Sequence, residues 1–360
     1  MSACSPNPVR KLRKLSDGVC CISTNGIIDD RDNCQKERWY DRTNTCLQRI
    51  GVDVKIIVTG GAGFIGSHLI DRLVREQAGE VIAIDTFARG RHEFLVAHAN
   101  NPALTLIHGD VRDAVLLEQV FAGADTVYHL AAQSNVMGAV SDIEYSFTTN
   151  VVGTYQVLVA AQAAGVRRMV FASSREVYGE VEALPVEEAQ PLAAKNAYGA
   201  SKAAGELYCR VFRETYGLPV SIVRLANVYG TRDCGRVIPL WLDAVAEKRN
   251  LTVFGGKQLI DFVWVDQVVD AFLRMAEINY PEPINIGSGR GTPILELAER
   301  IITLSGAKSQ LDLQPARSVE VARFEADITR MQSILGLTPP EDPLFGLPHL
   351  WESWPARVGS

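Results

Sequence analysis

The rhythm of apolar and polar positions changes abruptly near residue 52. Residues 1–53 mix Arg, Lys, Asp, Asn and Cys with neither a two-residue nor a 3.6-residue period over any useful length. Val54-Lys-Ile-Ile-Val58 is then a compact β-branched run followed at once by glycines, the pattern of a buried first strand of a parallel sheet. Phe64 to Glu76 carries Ile65, Leu69 and Leu73 on one stripe and predicts an amphipathic helix. Val81–Ile84, Leu104–Ile107, Thr126–Ala132 and Arg168–Ala172 read as further strands, and a helix is predicted from Tyr198 to about Tyr216. Strands alternating with helices indicate an α/β fold around a parallel sheet.

Residues 1–53 are expected to be an irregular extension; one reading makes them a translated upstream leader, with Val52 or Val54 as the alternative start. After Leu337 the chain turns proline-rich (Pro339, Pro340, Pro343, Pro348, Pro355) with Trp351 and Trp354, so 339–360 is read as a tail. The 360 residues suit one large domain with an appendage, or two domains.

Hydrophobic residues make up 47% and charged residues 22%, which excludes a wholly disordered or fibrous chain. The formal charge of −6, from 36 basic and 42 acidic residues, offers no basic field to a polyanion. No nucleic-acid partner is expected, whereas a small phosphate ligand is compatible. No run approaches the ~20 apolar residues of a membrane span. Behind Arg10, Lys11, Arg13 and Lys14, the segment Leu15 to Asn25 is too polar for a secretory signal, so the expected location is the cytoplasm. Five of the seven cysteines (Cys4, Cys20, Cys21, Cys34, Cys46) precede residue 50 without a CxxC pair, which favours free thiols over a metal site. Cys209 and Cys234 are read as structural, and no metal is expected.

Candidate chemistry begins at Thr59-Gly-Gly-Ala-Gly-Phe-Ile-Gly66, on a strand-to-helix turn. There Gly60 can take a backbone angle closed to other residues, Gly63 lets the main chain approach a diphosphate, and Gly66 lets helix and sheet pack closely. Phe64 and Ile65 open the helix whose positive end faces the phosphates. Asp85 ends the next strand nineteen residues after Gly66, where a carboxylate binds an adenosine ribose and repels a 2′-phosphate. NAD is therefore favoured over NADP, with Arg89 and Arg91 nearby as the contrary signal. Asp110 and Val111 in His108-Gly-Asp-Val111, and Leu130, Ala131 and Ala132 after the fourth strand, complete the expected cofactor wall.

The fifth strand delivers Ser173, Ser174, Arg175 and Glu176 at its carboxyl end, the ligand edge of α/β sheets. Tyr198-Gly-Ala-Ser-Lys202 puts Tyr198 and Lys202 one turn apart on one helical face. A lysine ammonium near the phenol favours the phenolate and lowers its pKa toward neutrality. Tyr198 could then take a proton from a substrate hydroxyl as hydride leaves the same carbon, with Ser174 bonded to that oxygen.

In these motifs, together with His129-Leu-Ala-Ala132, Ser173–Gly179 and Arg224-Leu-Ala-Asn-Val-Tyr-Gly230, the chain resembles the extended short-chain dehydrogenase/reductase family of NAD-dependent nucleotide-sugar epimerases and dehydratases. The resemblance covers about Val54 to Gly336. It implies a Rossmann-type, doubly wound parallel sheet in 54–227 holding NAD, and a smaller C-terminal α/β substrate region in 228–338, interleaved with it. It also implies Ser174, Tyr198 and Lys202 as catalytic residues, and a homodimer packed through helices over roughly Thr148–Ala164 and Tyr198–Tyr216.

Members resembling UDP-glucose 4-epimerases oxidise C4 of the sugar and return the hydride to the other face. Dehydratases carry Thr-Asp-Glu where this chain has Ser174, Arg175 and Glu176, and an arginine cannot donate the proton of a carboxylic acid. A decarboxylase of the UDP-glucuronate type needs only the glutamate, so Glu176 is either an added acid/base or a structural carboxylate paired with an arginine. Arg175 itself, being adjacent, is the less natural partner. By resemblance Val253, Phe254, Asn227 and Arg317 touch the nucleotide and diphosphate, while Ile260 replaces a diphosphate-binding arginine. That loss removes about 1.5–3 kcal/mol unless Arg232, Arg236 or Arg323 substitutes. The expected activity is 4-epimerisation of a UDP-hexose or uronic acid, with a dehydratase or decarboxylase as the alternative and a non-catalytic NAD-binding regulator as the remote one.

Overall fold

The computed structural model describes residues 54–354; the N-terminal extension and the last residues of the tail lie outside them. Five strands appear in the order the pattern predicts, β1 (Lys55–Thr59), β2 (Glu80–Asp85), β3 (Leu104–His108), β4 (Thr126–His129) and β5 (Arg168–Ser174), and a sixth that it did not predict, β6 (Val220–Leu225), follows. Three more, β7 (Asn227–Tyr229), β8 (Leu251–Phe254) and β9 (Leu259–Trp264), lie outside the main sheet, and β10 (Ile284–Ile286) returns to it. The seven-stranded sheet runs β10-β6-β5-β4-β1-β2-β3, all parallel. Its order reverses between β1 and β4, where Thr59 stands opposite His129. That is the topological switch point of a Rossmann-type, doubly wound sheet.

Strands buried on both faces need helices on both. Phe64–Arg75 and Val265–Ile278 pack together on one face, while Ala114–Phe121, Gly153–Ala163 and Ala197–Tyr216 pack on the other. β4 is shorter than predicted, ending at His129 because the small residues after it leave the sheet. β5 is longer and carries Ser173 and Ser174 as strand residues. The helix expected from Thr148 begins at Ile143 and passes through a π-helical turn at Thr148–Val152 before Gly153–Ala163.

Around β9, β11 (Gly291–Pro293) pairs antiparallel, and β7 and β13 (Arg323–Phe324) pair parallel; β12 (Leu311–Gln314) pairs with β8. Asp261 braces this region: its fully buried carboxylate accepts from Ser288 N and Oγ at 2.7 Å and from Gly289 N and Ala326 N at 3.0 Å. Burial pushes its pKa up to about 6 against those four bonds. The tail folds into a helix, Leu347–Glu352, and Phe345 and His349 pack on the Trp264 ring. Among the described residues no helix is long and apolar enough to cross a membrane.

Two buried polar groups tie the sheet to its helices. His129 sits between Thr59 Oγ1 (2.7 Å) and Thr154 Oγ1 (2.9 Å), and burial pulls its pKa down to about 3, so the imidazole is neutral. Arg224 on β6 forks onto Glu206 of the helix Ala197–Tyr216, with Nη2–Oε2 at 2.7 Å. Removing one partner of such a pair strands the other charge in the interior. Arg224→Ala is expected to lower unfolding free energy by about 3–5 kcal/mol in chemical denaturation; a change under about 1 kcal/mol, the scale of an exposed pair, would sink the assignment.

Candidate active site

A cavity of about 890 Å³ opens at the carboxyl ends of β1, β2, β4, β5 and β6 and extends to β8 and β9. Every residue expected to touch cofactor or substrate lines it except Val253. Val253 is buried in the core, because strand alternation turns Thr252 and Phe254 to the cavity instead.

The glycine turn is built as its spacing requires at Gly60. Its φ is +72°, and a Cβ there would lie 2.8 Å from Ala131 N. Gly63 caps the following helix without any side-chain bond, and no acid occupies the first turn, so its opening N–H groups are left for an anion. Gly66 differs from expectation. Its missing Cβ would fall 2.2 Å from the Gly60 carbonyl oxygen, so this glycine packs the helix onto its own turn rather than onto the sheet. Asp85 accepts from Ala62 N at 3.0 Å and Phe87 N at 2.8 Å, which fixes the carboxylate at the cavity wall; burial raises its pKa. Arg89 lines the cavity and bonds Ser134 Oγ at 3.2 Å, whereas Arg91 does not line it.

The candidate catalytic residues sit where β5 meets the helix Ala197–Tyr216. Asn196 caps that helix through Gly199 N at 2.9 Å and so sets the pitch of Tyr198 and Lys202. Lys202 Nζ donates to the Ala172 carbonyl at 2.8 Å and lies 5.0 Å from the centre of the Phe171 ring. Burial pulls the lysine down to about 8. The Tyr198 phenol moves the other way from the sequence expectation: burial pushes it up, and Arg236, a hydrogen bond with Ser174 and, more weakly, Arg175 pull it back. In the protein alone, Lys202 spends its charge on a backbone carbonyl.

Glu176 is also corrected. Its partner is Arg175 after all, with Nη2–Oε1 at 2.9 Å, and its second oxygen accepts from Asn196 Nδ2 at 2.7 Å. The adjacent pair meets because the chain leaves β5 into a 3₁₀ turn, Arg175–Val177. Sequence reasoning passed over Asn196, although an asparagine two residues before Tyr198 is a capping signal. It also passed over Thr149, whose buried hydroxyl lines the cavity without a partner in the π-helical turn. No sequence period announces a π turn.

Residues 56–287 match the NAD dependent epimerase/dehydratase family. The chain belongs to that family. The family's cofactor is NAD, and the glycine turn, the open helix start and Asp85 fit its diphosphate and adenosine ribose. Among similar proteins, a UDP-glucose 4-epimerase of Mycolicibacterium smegmatis is 36% identical over 295 residues, covering 79% of this chain and 94% of that one. UDP-glucuronic acid decarboxylase 4 of Arabidopsis thaliana is 32% identical over 320 residues, covering 85% of this chain and 69% of that one. In structure the chain is similar to a dTDP-glucose 4,6-dehydratase from Streptomyces venezuelae (TM-score 0.81, 31% identity, 85% of this chain and 98% of that one). It is also similar to a UDP-glucose 4-epimerase from Thermotoga maritima (TM-score 0.79, 32% identity, 83% and 98%). Members of this epimerase/dehydratase family are enzymes, and the similarity spans three of its reaction classes.

The depressed Lys202 pKa gives a signed pH effect. Below about pH 8 the ammonium is charged in both folded and unfolded chains, and its burial penalty is complete. Between about 8 and the ordinary value of 10.5 the unfolded chain binds the extra proton, so stability rises with pH. Against Lys202→Met, the unmodified chain is expected to gain unfolding free energy across that window in urea titrations without nucleotide. A flat difference counts against the assignment.

Proposed function

We propose that this protein is a cytoplasmic NAD-dependent epimerase inverting C4 of a nucleotide-activated hexose or uronic acid, with UDP-glucose and UDP-galactose the first candidates. The observation that carries this reading is one continuous cavity that has Ser174, Tyr198 and Lys202 on its wall together with the glycine turn and with Asn227, Phe254 and Arg317. Similarity to UDP-glucose 4-epimerases supports it.

NAD, when bound, supplies the hydride acceptor and donor. Tyr198 as phenolate takes the proton of the C4 hydroxyl and later returns it, while Ser174 donates to the same oxygen. Arg236, the charge that most favours the phenolate, stands on the cavity wall. Lys202 holds its ammonium beneath the site on the Ala172 carbonyl.

On the substrate side Arg317 lies 3.6 Å over the Phe254 ring and pairs with Glu320 at 3.1 Å, presenting a flat guanidinium beside the nucleotide position. Ile260 makes one wall apolar where the resemblance places an arginine. Arg232 and Arg236 line the same cavity and Arg323 does not, so those two are the replacements proposed for the missing diphosphate contact. A second reading, loss of carbon dioxide or water from the same 4-keto sugar, draws on Glu176 at the cavity wall and on the similarity to UDP-glucuronic acid decarboxylases.

We also propose a homodimer. Tyr155 and Val159 on one helix and Leu207, Tyr208 and Val211 on its neighbour expose large apolar side chains on adjoining surfaces. Leu207→Glu combined with Val211→Glu is expected to halve the sedimenting mass; a mass unaltered by both charges argues for another interface.

The activity test is incubation with UDP-glucose, UDP-N-acetylglucosamine, UDP-glucuronate and dTDP-glucose in turn, without added NAD. A product of unchanged mass with an inverted C4 signal in NMR is expected, and loss of water or carbon dioxide would establish the lyase reading instead. Tyr198→Phe should retain NAD yet turn over at least ~10²-fold more slowly. Unchanged turnover removes Tyr198 from the chemistry.

A further inference from the structure

Arg175, the residue that departs from the dehydratase pattern, is the centre of a built contact set. Its Nε donates to Asn227 Oδ1 at 2.6 Å, and its Nη2 lies 2.9 Å from Glu176 Oε1. Its guanidinium faces the Phe324 ring at 5.6 Å, and the side chain is only 12% exposed, so packing fixes it. Glu176 is therefore held from both sides, by Arg175 on one oxygen and by Asn196 on the other. Asn227 has its carbonyl oxygen occupied, which leaves its amide N–H groups as the end offered to a ligand. Arg175, Glu176 and Asn227 line the cavity beside Ser174, and Asn196 anchors Glu176 from behind as the helix cap.

We propose that Arg175 is a positioning residue that decides the fate of the oxidised sugar, withholding Glu176 from it while aiming the Asn227 amide at the substrate diphosphate. The proposal rests on the epimerase reading above. In a 4-keto sugar the hydrogen on C5 is acidified by the neighbouring carbonyl. A mobile carboxylate at position 176 would take it as a proton, its electron pair would form an enolate with the C4 carbonyl, and solvent would return a proton to C5. No electrons are gained or lost in that exchange, and it is the first step toward elimination at C6. With Glu176 clamped, the intermediate keeps one exit, return of hydride to C4.

The test uses the full NAD-loaded chain with UDP-glucose in D₂O, reading inversion at C4 and deuterium at C5 by NMR and mass. The unmodified protein is expected to invert C4 without deuterium at C5. Arg175→Gln, uncharged, is expected to raise C5 deuterium at least ~10-fold, and adding Glu176→Gln to return it to the starting level. Arg175→Lys keeps a charge for Glu176 but loses the Nε bond to Asn227, so KM should rise several-fold with kcat nearly unchanged and no C5 deuterium. Inversion by Arg175→Gln without C5 exchange overturns the proposal, as does exchange that survives in the double variant. Should Arg175→Gln fail to fold or load NAD, the lysine variant decides: C5 exchange or an unchanged KM overturns the proposal, and a raised KM without exchange upholds it. An unmodified chain that yields dehydrated sugar and no C4 inversion overturns the epimerase reading and the proposal together. Inversion by the unmodified chain with unaltered variants overturns the proposal alone.

Discussion

An arginine on β6 and a glutamate on the helix Ala197–Tyr216, both out of reach of water, join sheet to helix, and the placement of Ser174 and Lys202 follows from satisfying them. Arg224 and Glu206 are 3% and 2% exposed. A charge so deep persists only when every donor and acceptor is met. Ser173 gives its hydroxyl to Glu206, and the remaining Arg224 nitrogen reaches the Tyr178 hydroxyl and the Glu188 carbonyl, both at 2.9 Å. Tyr178 in turn donates a hydrogen bond to Asn285 Oδ1 on β10 at 2.7 Å. Ser173 immediately precedes Ser174, and Glu206 lies one helical turn beyond Lys202. Meeting the hydrogen-bonding demands of the pair therefore fixes both reactive residues to a fraction of a turn, before any ligand arrives.

The same logic separates what could be read in the sequence from what could not. Strand and helix periods, the Gly60 turn, Asp85 at a strand end and the four-residue spacing of Tyr198 and Lys202 were legible because each is a local pattern with a single geometric outcome. Tyr178 and Arg224 were visible as motif residues, but their joint role was not, since it depends on which strands become neighbours. Asp261 was hidden for a similar reason: an acid in a strand gives no sign that four donors from distant segments will converge on it.

The misreadings are equally local. Adjacent residues in an extended strand face opposite ways, which made an Arg175–Glu176 pair unnatural until a 3₁₀ turn rotated both toward one wall. Resemblance put Val253 in the cavity beside Phe254, whereas strand alternation turns it into the core and leaves Thr252 and Phe254 facing the cavity. The tyrosine was assigned its acidity from a nearby lysine, whereas solvent exclusion and a loop arginine dominate it before the cofactor is in place.

The tail carries a mechanical consequence. Its residues press on Trp264, where a side chain on Gly346 would come within 2.4 Å of the indole, and the Pro343 carbonyl receives the Tyr229 hydroxyl at 2.7 Å. Trp264 closes the same strand that carries Ile260 in the substrate wall. The tail at 343–349 is thus packed against one end of the strand whose other end walls the cavity. An attachment that pulls this tail away would uncover Trp264 and strip Tyr229 of its acceptor, both on strands that meet at the cavity's edge.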